Sequence, residues 1–308
     1  MLERIFARGL ATGFDNPTAL PTSTAQEQQW QQANKQWWEA HPMEYDWAGK
    51  ERLRAGSRES YEVMDRKFFA AAQTYLPARE LPFDQLIPYG DLPRMDVLEI
   101  GVGSGAHAAL LSGHARSFTG IDLTECATEN TRGRFRVMDL SGDLRQMDAE
   151  HLDFPDESFD FVWSWGVIHH SANTEQILRE VRRVLRPGGR AVVMVYNRSL
   201  WGYYVVTGLI RGVLLADLLR TRSLHRTVQR ATDGAIARYY SPREWRSLVK
   251  VQGLQLEWLR VYGDKPEMVP LPPGRLKTAV LRRLPNPASR FFLNRLRQGS
   301  FLVTSLRR

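Results

Sequence analysis

Short apolar runs recur along the second and third quarters of the chain, with segments of helical character between them. Residues 97–100, 117–121, 161–165 and 191–196 are runs of branched and aromatic side chains too short for helices, and they read as buried strands. Residues 106–111, the stretch from Thr124 and the stretch around Glu180 carry helix formers, so strand and helix alternate as in α/β folds. A shorter run from Leu144 reads as a third strand ending in Asp148-Ala149-Glu150, and the runs 254–262 and 300–306 read as a closing hairpin pair. Ahead of these, residues 1–25 show no period and predict a mobile arm. Residues 26–95 predict a helical, aromatic-rich extension. Its first helix carries Trp30, Trp37 and Trp38 to a stop at Pro42, with Tyr45 and Trp47 just beyond. An amphipathic helix follows over 59–75, with Tyr61, Met64, Phe68 and Ala72 near one face. The cluster either plugs a core or closes as a lid.

At 308 residues and 43% hydrophobic content the chain can bury one large core, so 96–308 is expected to be one domain with insertions at 197–237 and 263–298. The single cysteine, Cys126, excludes an intrachain disulfide framework and suits a reducing compartment. Residues 1–20 lack the continuous apolar core of a signal peptide, and a cytoplasmic protein is expected. The net charge of +8 is concentrated: residues 268–308 hold nine Arg and Lys and no acid. A solvated basic face is the plain expectation, with attraction to anionic lipid or a negatively charged substrate as alternatives. Nucleic acid is not expected, because no recognition motif accompanies the charge. Residues 201–215 are strongly apolar, but Arg211 interrupts them and the run falls short of the roughly 20 residues that span a bilayer. They are expected to cover a substrate pocket or to touch lipid or a lipophilic substrate.

The chemistry gathers around Gly101, Gly103 and Gly105, which follow the first strand and precede a helix. Such a turn lets a nucleotide approach the backbone and offers it the free N–H groups of a helix start. Gly101, Gly103 and Ala106 also satisfy the dinucleotide fingerprint, so the glycines alone leave both cofactors open. Glu99, two residues earlier, sets a carboxylate beside the turn, where it would repel a pyrophosphate and attract an ammonium. Asp122 ends the second strand, where an acid can accept from both ribose hydroxyls or cap the helix that follows. Asp148 and Ala149 set a side-chain acceptor beside a backbone donor. Residues 185–189, Leu-Arg-Pro-Gly-Gly, read as a helix stop at Gly188-Gly189 that returns the chain to the sheet.

In this order and spacing, the blocks over 97–196 resemble class I S-adenosylmethionine-dependent methyltransferases, in the broad group that includes quinone, sterol and small-metabolite enzymes. The resemblance implies a doubly wound, mostly parallel, Rossmann-like sheet of seven strands ending in an antiparallel hairpin. It implies S-adenosylmethionine as cofactor, held by Glu99, Gly101, Gly103, Gly105, Asp122, Leu123, Asp148, Ala149 and Trp165. Asp148 would then meet the adenine amine. Trp37, Trp38 and Tyr45 would form the lid, where aromatic faces favour a sulfonium, and Tyr239 and Tyr240 would stand at the pocket edge.

Methyl transfer from a sulfonium needs in-line placement of a nucleophile and exclusion of water, and a hydroxyl acceptor also needs a base. His169 and His170, just past the fourth strand, are the candidate bases. Two histidines without neighbouring Cys or acids make a poor metal site, and no metal is expected. The favoured reading is methylation of a small or lipophilic metabolite, at oxygen before carbon or nitrogen. An NAD-type dehydrogenase and a non-catalytic S-adenosylmethionine-binding protein at a membrane surface are the alternatives.

Overall fold

The computed structural model describes residues 13–43 and 56–308, together with Ala11 and Arg54. Tyr45 and Trp47 lie outside the described residues. The centre is a sheet whose main path runs β3-β2-β1-β4-β5-β8-β7, formed by β1 (Asp96–Ile100), β2 (Ser117–Asp122), β3 (Asp143–Gln146), β4 (Phe159–Trp165), β5 (Leu185–Asn197), β7 (Gln255–Tyr262) and β8 (Phe301–Arg307). β1 to β5 are parallel, and β8 enters antiparallel between β5 and β7. The strand order reverses between β2-β1 and β4, the place where open α/β sheets bind ligands at their carboxyl ends. An eighth, two-residue strand, β6 (Tyr239–Tyr240), pairs with the end of β5 beside the seven-stranded path.

The central strands read as nearly continuous apolar runs because both faces are covered. One layer holds Leu98, Ile100, Val162, Leu178 and Val193, and the other holds Val97, Leu111, Phe161, Trp163 and Val192. At the opposite edge from the ligand side, Arg186 binds both Asp96 at 2.9 Å and Asp160 at 2.6 Å, which ties the start of β5 to β1 and β4. That pairing explains a departure from expectation. The helix before the Leu-Arg-Pro-Gly-Gly stretch, α5 (Thr174–Val184), ends at Val184 rather than at Gly188, and Leu185 already pairs with Phe159. β3 likewise stops at Gln146, so Asp148 and Ala149 lie in the turn beyond it.

The amino-terminal segment is docked over residues 13–23, against the expectation of a mobile arm. Phe14 and Ala19 are buried with Trp30, Ala172 and Ile236. The Arg238 guanidinium, wholly buried, donates to the carbonyls of Ala19, Ser171 and Ala172, and the Tyr239 N–H donates to Pro17 O. A single buried cation therefore fastens this segment to the loop after β4. From there α1 (Thr24–Ala40), capped by Ser23, crosses the carboxyl end of the sheet, and α2 (Arg58–Ala72) follows.

Candidate functional site

A cavity of about 310 Å³ opens at the carboxyl ends of β1, β2 and β4. Its floor is the turn between β1 and α3 (Ala106–Ser112). Gly101 has φ +83°, and a Cβ there would lie 2.2 Å from Val167 Cγ2, so only glycine lets this strand end pack against the β4 loop. The Gly103 N–H donates to Asp122 Oδ2 at 3.1 Å, and Arg134 of α4 (Glu125–Met138) donates to Ser104 O at 3.0 Å from below. Arg134 is itself fully buried and paired with Asp65 of α2. The turn is thus held from two sides before any ligand arrives.

Asp122 also accepts from the Thr124 N–H at 3.0 Å and the Thr124 hydroxyl at 2.8 Å, while Thr124 caps α4. Helix capping therefore falls to Thr124, and Asp122 is left to line the cavity. Burial raises the Asp122 carboxyl against the lowering by its three donors. The Asp148 carboxylate accepts from the Gln31 amide at Oδ1 and Oδ2, 2.9 Å each, and from the Glu150 N–H at Oδ1, also 2.9 Å. Gln31 Oε1 in turn accepts from the Ala172 N–H at 3.1 Å, so α1 bridges the Asp148 turn and the β4 loop.

The structure brings Gly101, Gly103, Asp122, Leu123, Asp148, Ala149, Trp165, Trp38 and His170 together around this cavity. Other expected residues lie elsewhere. Glu99 is buried beneath the turn rather than on the wall, and Gly105, with φ +78°, begins α3 against Thr131 and Arg134. Trp37 stacks on His41 at 4.5 Å and packs edge-on against Trp38 at 4.6 Å, but does not itself line the cavity. Tyr240 is buried against Trp245, and Tyr239 bonds Thr232 at 2.7 Å and packs behind Tyr196, which itself lines the cavity. As adjacent strand residues they point to opposite faces, Tyr240 onto Trp245 and Tyr239 onto Tyr196 and Tyr203, and neither lines the cavity. Of the two expected insertions, 263–298 contributes nothing to the lining and 197–237 contributes Asp233.

The two histidines separate by environment. His169 is fully buried with neither ring nitrogen hydrogen-bonded among the described residues, and burial holds it neutral. It packs on Tyr196 at 3.9 Å and does not line the cavity. His170 does. Its Nδ1 lies 2.7 Å from Ile236 O, so Nδ1 carries the proton and Nε2 is left as an acceptor. Burial lowers its pKa to about 4. Gly234, at φ +91°, allows the approach, since a Cβ there would meet Nδ1 at 2.6 Å. Four lining residues carried no signal in the sequence: Gln31, Asn34, His107 and Tyr196 reach the cavity only through helix orientation and sheet order. His107 is buried among Phe68, Phe83, Trp163 and Trp165, which lowers its pKa to about 3.

The cavity's charge discriminates between cofactors. Its lining holds Asp122, Asp148 and Asp233 and, among the described residues, no Lys or Arg. A pyrophosphate would meet three carboxylates with no counter-charge. A ligand with an ammonium, a sulfonium and a ribose diol fits. Glu99 Oε2 and Asn34 Oδ1 are buried acceptors without hydrogen-bond donors among the described residues, and a ligand amine would satisfy such atoms.

A family model described as a methyltransferase domain matches residues 98–193, the stretch from β1 to β5 that builds this floor. Residues 98–193 are a class I S-adenosylmethionine-dependent methyltransferase domain. The phosphatidylethanolamine N-methyltransferase of Cereibacter sphaeroides is 40% identical over 100 residues, covering 32% of this chain and 49% of that protein. The phthiotriol/phenolphthiotriol dimycocerosates methyltransferase of Mycobacterium tuberculosis is 41% identical over 101 residues, 32% of this chain and 37% of that protein. The chain thus spans half or less of the length of these curated relatives. A solved putative sarcosine dimethylglycine methyltransferase from Galdieria sulphuraria aligns over 81% of this chain and 88% of its own, at 16% identity and a TM-score of 0.49. In the methyltransferase domain Asp122, Asp148 and the Gly101–Gly103 backbone are the residues that would hold S-adenosylmethionine, with Glu99 beneath them.

Proposed function

We propose that the chain transfers the methyl group of S-adenosylmethionine to a hydroxyl of a small lipophilic acceptor. The supporting observation is the composition of the cavity beyond the cofactor residues: Trp38, Phe68, Met194, Tyr196 and Phe301 make an apolar wall, and His170 adds a neutral imidazole with one acceptor nitrogen. The cofactor supplies an electrophilic methyl on sulfur. The chain's part is to hold an acceptor in line, exclude water through the α1 roof, and receive the hydroxyl proton at His170 Nε2. Placement is the larger contribution, worth roughly 7–11 kcal/mol in favourable cases. A base with a pKa near 4 takes a phenolic proton only as the oxygen–methyl bond forms, so proton transfer accompanies methyl transfer. The names of the relatives, one a phosphatidylethanolamine N-methyltransferase and the other a phthiotriol/phenolphthiotriol dimycocerosates methyltransferase, support a lipophilic acceptor and leave the acceptor atom to the assay.

The test is a methyl-transfer assay with radiolabelled S-adenosylmethionine against lipophilic phenols, alcohols and amines of matched size, with product mass spectra. Labelled methyl ethers, reduced at least tenfold in His170→Gln, are expected. Turnover of amines alone, or full activity in His170→Gln, would overturn the oxygen assignment.

A further inference from the structure

Outside the cavity the molecule has one concentration of exposed apolar side chains. Of fifteen large apolar residues exposed among the described residues, eleven fall within 200–219 or 276–296. The first set lies on the helical run from Leu200–Arg211 through Leu214, a π-helical turn continued as α-helix, and on Asp217–Thr221: Leu209, Val213, Leu214 and Leu219 are 51–79% exposed. The second lies on the helix Arg275–Arg283, which buries none of its residues, and on the turn that follows: Leu276 and Phe291 are 67% and 60% exposed.

These two segments meet. The Trp201 N–H donates to Gln298 Oε1 at 3.0 Å, its indole N–H donates to Glu267 O at 3.1 Å, and its ring packs edge-on against Phe292 at 5.7 Å. The base of the apolar helix is therefore stitched to the arginine-rich turn. The charge on the second segment is unopposed: Arg275, Arg282, Arg283 and Arg295 are exposed and make no ion pair among the described residues, and no acid occurs between 268 and 308. The acid nearest in sequence to the apolar helix, Asp217, is buried and bound by Arg230 at 3.2 Å.

We infer that this face docks on the surface of an anionic phospholipid bilayer, with Leu209, Val213, Leu214 and Leu219 entering the headgroup boundary and the arginines of 275–295 meeting lipid phosphates. Exposed apolar side chains on a segment joined through Trp201 to one whose arginines make no ion pair among the described residues match a layer that is apolar within and negative at its surface. A second copy of the chain is a worse match, because two such faces would bring their arginines together. Among the described residues no helix is long and apolar enough to cross a membrane. The face also adjoins the cavity wall. Asn294 donates to Tyr75 O at 2.8 Å, and the Tyr75 ring, packed on Phe301 at 5.3 Å, lines the cavity. The inference stands on this surface alone and does not depend on which acceptor atom is methylated.

Vesicle flotation tests it, with the full chain mixed with pure phosphatidylcholine vesicles or with vesicles containing one-third phosphatidylglycerol, at 50 and 300 mM salt. Flotation at least tenfold greater with anionic vesicles, and weakened by salt, is expected. The triple variant Arg275→Glu, Arg282→Glu, Arg283→Glu should lose at least tenfold, and the double variant Leu214→Ser, Leu219→Ser should lose binding at both salt concentrations. Both variants alter exposed side chains, and circular dichroism melts matching the wild type verify their folding. No flotation with either vesicle, or flotation unchanged in both variants, would overturn the inference. So would a dimer in light scattering that the Leu214→Ser, Leu219→Ser variant converts to monomer.

Discussion

Replacing Asp122 by Asn tests the cofactor assignment at the acid that accepts from the glycine turn. In the free protein the carboxylate accepts three bonds: two from Thr124 through Oδ1, and one from the Gly103 N–H through Oδ2 at 3.1 Å. Asparagine can keep the Thr124 bonds through its one oxygen, but it then turns an NH₂ toward the Gly103 N–H, donor against donor. If the ribose diol donates to this carboxylate, the variant also forfeits two charge-assisted bonds, each worth about 1.5–3 kcal/mol. Taking the low end for a partly solvated group gives about 3–4 kcal/mol, or several-hundred-fold in affinity at about 1.4 kcal/mol per factor of ten. Isothermal titration with S-adenosylhomocysteine measures this, and urea melts of the unliganded proteins separate it from damage to the turn. A change below threefold in a variant that melts like the wild type would refute the role of Asp122 in holding ribose.

Three further outcomes follow from the same geometry. The acid limb of the pH profile of kcat/KM should lie near pH 4 rather than 6.5, because His170 stays neutral down to its depressed pKa; a limb at 6.5 that vanishes in His170→Gln would contradict the environment described for it. Gly101→Ala should lose roughly 2–4 kcal/mol in urea unfolding, since it combines a left-handed φ with a Cβ 2.2 Å from Val167 Cγ2, and a loss under 0.5 kcal/mol would show that the strand end is slack. Glu267, buried under Ser300, is raised by burial to about 7, so the folded chain binds a proton that the unfolded chain releases above about pH 4.5. Stability from this group is therefore present below pH 4.5 and lost as pH rises to 7. Relative to wild type, Glu267→Gln should gain up to about 3 kcal/mol across that window, and a flat difference between the two melting curves would exclude the shift.

The parts of the site that were legible in the sequence are those made by contiguous residues. Gly101 to Gly105, Asp122 and Asp148-Ala149 each announce a strand end through local composition, and open α/β sheets put strand ends together. The β5–β8–β7 hairpin was legible for the same reason, as apolar runs separated by a basic excursion. What was not legible depends on long-range contacts. Phe14 looks like an arm residue until Arg238, 224 positions later, is seen to lie over its ring at 5.4 Å. Gln31 carries no motif and acquires its partner Asp148 from 117 residues away. The Tyr239-Tyr240 pair, expected at the pocket edge, does not line the cavity, because its pairing with β5 sets Tyr239 beside Tyr196, which does. Adjacent His169 and His170 differ only in which one the short helix Ile168–His170 leaves on the cavity.

An acid-lined cavity of this kind should hold S-adenosylmethionine and reject a pyrophosphate. The most direct measurement is a pair of titrations on the unmodified chain, one with S-adenosylhomocysteine and one with NAD, each read by calorimetry and by the shift in melting temperature. Saturable binding and a raised melting temperature are expected with S-adenosylhomocysteine, and neither with NAD. Saturable NAD binding with no response to S-adenosylhomocysteine would contradict it.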